Sequence, residues 1–123
     1  MSPDGDMEKL QGQSFPKSEK VRKKSEIDRI FRTGARYSFK GMALRVAPNS
    51  LGWSRVVFIT VRSFDGAVGR NRAKRIAREV WRLNKARIRK GFDFALILYP
   101  GYESFPVCTS LMLGLVRKAG LVE

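Results

Sequence analysis

At its centre the chain reads Gly66-Ala67-Val68-Gly69-Arg70-Asn71-Arg72-Ala73-Lys74-Arg75-Ile76-Ala77-Arg78-Glu79-Val80-Trp81-Arg82-Leu83-Asn84-Lys85. The spacing predicts one long helix, roughly Ala67 to Arg89, ended by Gly91. On a wheel turning about 100° per residue, with Val80 at zero, Ala73, Ile76, Ala77, Val80 and Leu83 fall within about 60° and form a buried stripe. Asn71, Lys74, Arg75, Arg78, Arg82, Lys85 and Arg89 fall nearly opposite, and Arg70 and Arg72 flank them at the helix start. Glu79 is the lone acid in this helix. A solvated helix face mixes signs, because like charges at i,i+4 cost a few tenths of a kcal/mol per pair. A face built from Lys74, Arg78 and Arg82 therefore calls for an anionic partner. Arginine forks onto phosphate and stacks on bases, whereas lysine acts as a point charge. The free N–H groups at the helix start add to the attraction beside Arg70 and Arg72. Together they suit a folded RNA backbone, and no helix-turn-helix spacing favours B-DNA.

Strand patterns flank the helix. Arg55 to Arg62 contains Val56-Val57-Phe58-Ile59-Thr60-Val61, apolar on both faces, which predicts a central strand. Phe92 to Tyr99 predicts another, closed by Pro100-Gly101. Further upstream, Tyr37 to Val46 alternates as one strand, with Met42, Leu44 and Val46 on one face and Tyr37, Phe39, Ala43 and Arg45 on the other. Pro48-Asn49-Ser50 with Gly52 is a turn. Ser25 to Thr33 predicts a short amphipathic helix with Ser25 as N-cap, Ile27, Ile30 and Phe31 on its apolar side and Gly34 as its stop. Ser104 caps a last helix with Pro106 in its first turn and Leu111, Leu115 and Val116 facing the core. The order is α-β-β-α-β-α, an α+β fold in which helices pack on a central sheet as an α/β sandwich. Residues 14–123 make a single domain, and residues 1–13 have the composition of a disordered polar tail.

The whole composition narrows the chemistry. Among 123 residues, 25 are Lys or Arg and 11 are Asp or Glu, a formal net charge of +14. Asp4, Asp6 and Glu8 fall in the tail, so the domain itself is more basic still. Cations placed inside a folded pattern favour nucleic acid over a membrane surface. There is no histidine, which removes the commonest general base and zinc ligand. The carboxylates are scattered, and the close pair Asp4 and Asp6 lies in the tail, so a two-metal nuclease centre is not expected. If phosphodiester chemistry is involved, its active site comes from elsewhere. The single Cys108 allows no internal disulfide and suits a small buried residue in a reducing compartment. No apolar run approaches the ~20 residues of a membrane span, and the start lacks a signal-sequence pattern. A cytoplasmic location is the expectation.

The run from Gly66 to Glu79 closely resembles the signature of the bacterial ribonuclease P protein subunit. Phe15-Pro16-Lys17, the helix start Lys23-Lys24-Ser25-Glu26-Ile27, and Phe31 with Gly34 extend the resemblance over about Phe15 to Leu121. The resemblance implies a protein that assists a magnesium-dependent catalytic RNA in removing the 5′ leader of precursor tRNA. On that basis the chain carries no catalytic residue, holds no metal or other cofactor by itself, and works in a holoenzyme that needs Mg2+. Its partners are the catalytic RNA, one protein per RNA, and precursor tRNA. Arg70, Asn71, Arg72, Lys74, Arg75, Arg78 and Arg82 are then expected on the catalytic RNA. A cleft between first helix and sheet is implied to hold the single-stranded leader, at Ile27, Phe31, Tyr37, Phe39, Arg45, Ile59, Val61, Arg62 and Ser63. The family's usual lysine pair before the signature is reduced here to Arg62, and Ile59 and Val61 are bulkier than its usual small residues. The resemblance also implies a left-handed crossover around the arginine-rich helix, against the usual right-handed rule. Two other classes share some of these features: a small basic structural RNA-binding protein of ribosomal type, and a protein-only nuclease, which the missing acid–base residues disfavour.

Overall fold

The run from Tyr37 to Val46 is a hairpin, not one strand. In the computed structural model, which describes residues 16–122, strand β1 (Ala35–Phe39) pairs antiparallel with β2 (Met42–Pro48). Phe39 lies directly opposite Met42, leaving Lys40-Gly41 as a two-residue turn. Gly41 supplies the positive φ, 104°, that such a turn requires. The other elements are α1 (Lys24–Thr33), β3 (Arg55–Thr60), α2 (Ala67–Asn84), β4 (Phe92–Leu98) and α3 (Phe105–Lys118). The polar tail expected over residues 1–13 lies outside the described residues.

The four strands form one sheet in the order β1-β2-β4-β3. β2 and β4 are antiparallel, while β3 and β4 run parallel and are joined through α2. β4 is therefore a central strand, and Phe94, Ala95 and Leu96 are fully buried. β3 was expected at the centre but forms an edge. Its two apolar faces have another cause: helices cover both sides of the sheet. Val56 and Phe58 join the larger core, while Val57 and Ile59 meet the smaller one. The exposed edge of β3 is partly closed by the segment before α1, where the Val21 amide donates to the Val56 carbonyl at 3.1 Å.

The larger core lies between the sheet and α2 with α3. Leu44, Phe94 and Leu96 meet Val80, Trp81, Met112 and Leu115 there. Trp81 packs edge-on to Phe94, with ring centroids 5.1 Å apart. Trp81 takes the place expected for Leu83, which is instead 53% exposed. Ala73, Ala77, Val80 and Trp81 are the buried residues of α2, so the stripe is rotated toward the indole, the larger apolar group. α2 also ends earlier than its sequence pattern. Lys85–Arg87 forms a 3-10 turn, and Arg89 lies beyond the helix, its amide donating to the Leu121 carbonyl.

The smaller core lies on the other face, under α1, where Val21, Ile30 and Ala95 are buried beside Ile27, Phe31, Val57 and Ile59. Lys23, not Ser25, is the N-cap of α1, and no side chain caps it. Ser25 is exposed within the first turn. Gly34 does end α1, but its φ of −80° is ordinary. Glycine is needed there for space, since a Cβ would lie 2.4 Å from the Ile30 carbonyl oxygen and 2.9 Å from that of Val46. At the far end, Ser104 caps α3 by accepting a hydrogen bond from the Val107 amide.

Candidate RNA interface

Two surfaces carry the residues singled out by sequence. The first is the outer face of α2. Its buried side fixes the helix against the sheet, and Asn71, Arg72, Arg75 and Arg78 project as exposed residues. None of these four side chains forms a hydrogen bond or ion pair with a described residue, so their polar groups are available to a ligand. Lys74 is half-buried on the flank of the same helix. Arg70 is partly engaged, its Nη2 donating to the Arg62 carbonyl at 3.3 Å. Arg82 differs from the rest, because its guanidinium pairs with Glu79 through Nε and Nη2. The Arg82 hydrogen bond holds the Glu79 carboxyl below its ordinary range despite some burial. At the helix start, Gly66 occupies the N-cap with φ 104° and offers no capping side chain, which leaves first-turn N–H groups without that partner.

The second surface is the cleft between α1 and the sheet. It brings together Ile27, Phe31, Arg45 and Ile59. Arg45 reaches across it: its Nη1 donates to the Phe31 carbonyl at 2.7 Å, and its guanidinium lies 5.3 Å from the Phe31 ring centroid. This places a cation and an aromatic face side by side at the C-terminal end of α1, a combination that suits stacking and phosphate contact.

Three residues expected in this cleft lie elsewhere. The two-residue turn sets Tyr37 opposite Leu44 and Phe39 opposite Met42, so both sit on the face of the larger core. Tyr37 packs against that core, and the Phe39 ring contacts Gly114 of α3 and lies 5.0 Å from the Lys118 ammonium. Val61 also packs against the larger core, because β3 ends at Thr60 and alternation stops there. The residues that do share the cleft face with Ala43 and Arg45 are Arg36 and Ser38, their direct partners across the hairpin. Sequence reading missed both, although Lys40-Gly41 carried the turn signal that reverses the parity. Past the end of β3, exposed Ser63 lines a hollow of about 500 Å³ together with Arg36, Ser38, Lys40, Tyr99 and the outer edge of Phe39. Arg62 is exposed beside it.

A third cluster was invisible in the sequence. Asp93 is fully buried and accepts hydrogen bonds from Arg55, Arg29 and Asn49 at 2.7–2.9 Å. Burial pushes its carboxyl upward, but the hydrogen bonds from Arg55 and Asn49 and the charges of Arg55 and Arg29 outweigh it and hold it below the ordinary range. Arg55 also meets Glu26 of α1 at 3.3 Å. The cluster fastens α1 to the end of the sheet and so fixes one wall of the cleft. Its acids are committed to arginines. Among the described residues no group of three or more His, Cys, Asp or Glu can hold a metal ion. Cys108 is buried in α3, which pushes its thiol up to about 11 and leaves it unreactive. Among the described residues no helix is long and apolar enough to cross a membrane.

The chain matches a protein-family model described as Ribonuclease P over residues 15–119. It is 39% identical over 107 residues to a ribonuclease P protein component from Natranaerobius thermophilus, a match covering 84% of this chain and 91% of that one. A ribonuclease P protein component from Petrotoga mobilis is 35% identical over 88 residues, covering 72% of this chain and 75% of the relative. The solved RNase P protein from Thermotoga maritima superposes with a TM-score of 0.74 at 27% identity, covering 81% of this chain and 96% of that one. That from Staphylococcus aureus gives 0.77 at 18% identity over 85% of this chain and 98% of the other, a likeness of fold alone. The element order and the crossover through α2 agree with such structures.

Proposed function

The chain belongs to the ribonuclease P protein family, and from that premise we propose that it binds the catalytic RNA through α2 and the precursor leader through the cleft under α1. As the protein component of the ribonucleoprotein that matures tRNA 5′ ends, it is a subunit of an endoribonuclease with ribonuclease P RNA and precursor tRNA as partners. The observation that carries the division of labour is the free, acid-poor face of α2. The Arg72, Arg75 and Arg78 side chains are exposed and bonded to no described residue, in a chain that has no histidine. Such a face neutralises phosphates but has no group poised for proton transfer at neutral pH.

The phosphodiester chemistry then resides in the RNA. We assign magnesium to it as well: among the described residues no group of three or more His, Cys, Asp or Glu could hold the ion, Asp93 is enclosed by two arginines, and Glu26 and Glu79 are each engaged by one. In the cleft, Phe31 and Arg45 receive a base and a phosphate of the leader, with Arg36, Ser38 and Ser63 along its path. Arg70, Asn71, Lys74 and Arg82 border the catalytic-RNA contact. One protein serves each RNA, residues 14–123 act as a single domain, and the assembly works in the cytoplasm.

The test is cleavage of precursor tRNA at low magnesium. Catalytic RNA alone should be slow, RNA with protein fast, and protein alone inactive. Cleavage by protein alone would make the chain a nuclease in its own right. Binding of catalytic RNA with no stimulation would favour a purely structural RNA-binding role.

A further inference from the structure

Trp53 lies between β2 and β3, at the end of the sheet opposite Ser63 and the hairpin turn, and is 42% exposed. It is nevertheless held in place. The indole N–H donates to the Ser18 carbonyl at 2.6 Å. The Trp53 carbonyl accepts from Asn49, whose side chain also donates to buried Asp93. An exposed aromatic ring fixed from two directions loses little freedom on binding.

Its surroundings are cationic. Trp53 lines two hollows, of about 670 and about 270 Å³. The larger is lined by five cations, Lys17, Lys20, Arg22, Lys23 and Arg55, and by one acid, Glu26, which Arg55 already engages at 3.3 Å. The smaller holds Lys85, Lys90 and Glu19, with Glu19 bound by Lys85 at 2.8 Å. Both acids are thus neutralised within the protein, and the outward field is positive. Lys17, Arg22 and Lys23 are exposed. A rigid aromatic ring set among cations is the composition of a platform for an unpaired nucleotide, the base stacking on the ring while its phosphates meet the cations.

We propose that Trp53 with Lys17, Arg22 and Lys23 forms a second contact with the catalytic RNA, in which an unpaired nucleobase stacks on the indole. The catalytic RNA is the occupant because the smaller hollow is also lined by Trp81 and Lys85, at the C-terminal end of α2. The surface therefore adjoins the C-terminal end of α2, whereas the hollow lined by Arg36, Ser38 and Ser63 lies at the other end of the sheet. This assignment rests on the α2 reading given above.

The test uses the full chain. Trp53 and Trp81 are its only tryptophans, and Trp81 is 2% exposed. Acrylamide quenching of the wild-type emission, minus that of Trp53→Phe, isolates Trp53. Saturating catalytic RNA should abolish most of this difference, and precursor tRNA alone should not. Trp53→Ala should weaken catalytic-RNA binding about tenfold, whereas Trp53→Phe, which keeps a stacking ring but loses the N–H bond to Ser18, should stay within about twofold. Equal loss in both variants would mean that the ring serves only to hold the segment at Ser18, and would overturn the proposal. So would full quenching of Trp53 in a complex that still stimulates precursor cleavage, a result that leaves the family function intact. Protection by precursor tRNA alone would also overturn it.

Discussion

Arg55 grips Asp93 with two parallel hydrogen bonds, Nε to Oδ1 at 2.9 Å and Nη2 to Oδ2 at 2.7 Å. One guanidinium thus joins adjacent strands at the register where Arg55 faces Asp93, while its other nitrogen meets Glu26 of α1. Removing one member of a buried ion cluster leaves the other charge uncompensated, at a cost of about 3–5 kcal/mol. Asp93→Asn is therefore expected to lower Tm by ~10 °C or more, with α1 loosened first. Thermal unfolding followed by circular dichroism checks this. A fall of only a degree or two would mean that the cluster is a by-product of the fold and does not hold it.

The same carboxylate sets a pH dependence. Asp93 titrates below its ordinary range in the folded chain. Its contribution is then complete above the unfolded-state pKa of about 3.9 and is lost as pH falls through the lower folded value. The Tm difference between wild type and Asp93→Asn should be constant from about pH 7 to about pH 5 and narrow below about pH 4. A difference unchanged at the lowest accessible pH would show that charge on Asp93 is not what stabilises the cluster.

Arg45 spans the cleft from β2 to the Phe31 carbonyl, so its charge is presented at a fixed place. Arg45→Ala should weaken holoenzyme binding of precursor tRNA about tenfold relative to mature tRNA, and leave affinity for the catalytic RNA unchanged. Arg45→Lys should recover little, because an ammonium lacks the planar fork that bonds the carbonyl and lies on the ring together. Paired Kd measurements with leader-bearing and leaderless substrate decide it. Equal weakening for both substrates would remove Arg45 from the leader site.

What the sequence disclosed follows from which signals are local. Helix periodicity and the Ser104 cap are encoded within a few residues, and the helices form close to their expected places. The failures lie where one local event changes everything after it. Taking Lys40-Gly41 as part of a continuous strand put Tyr37 and Phe39 on the wrong face, since one turn reverses the parity of a strand. Ending β3 at Thr60, two residues short of the expected Arg62, moved Val61 in the same way. Trp81 and Leu83 lie about 60–100° to either side of Val80 on the wheel, and only the shape of the sheet decides which is buried. The Asp93 cluster joins residues up to 64 positions apart, so no spacing could announce it. The face of α2 was legible because its evidence is a surplus of like charge, which needs no tertiary contact to be seen.

That surplus gives the most discriminating expectation. Arg72 and Arg75 are exposed, off the buried side of α2, and bonded to no described residue. Arg72→Ala and Arg75→Ala should therefore leave folding stability within about 0.5 kcal/mol of wild type. Each should weaken catalytic-RNA binding, and each should reduce the slope of log K against log salt by about one if it neutralises one phosphate. Arg82→Ala should cost less affinity, because the Arg82 guanidinium is already paired with Glu79. Filter binding across a salt series, with Tm measured on the same preparations, separates the two roles. If Tm and affinity fall together for Arg72 and Arg75, these arginines hold the helix and another surface meets the RNA. If affinity falls with an unchanged salt slope, the contact is to bases, and stacking of the guanidinium replaces phosphate neutralisation as its physical basis.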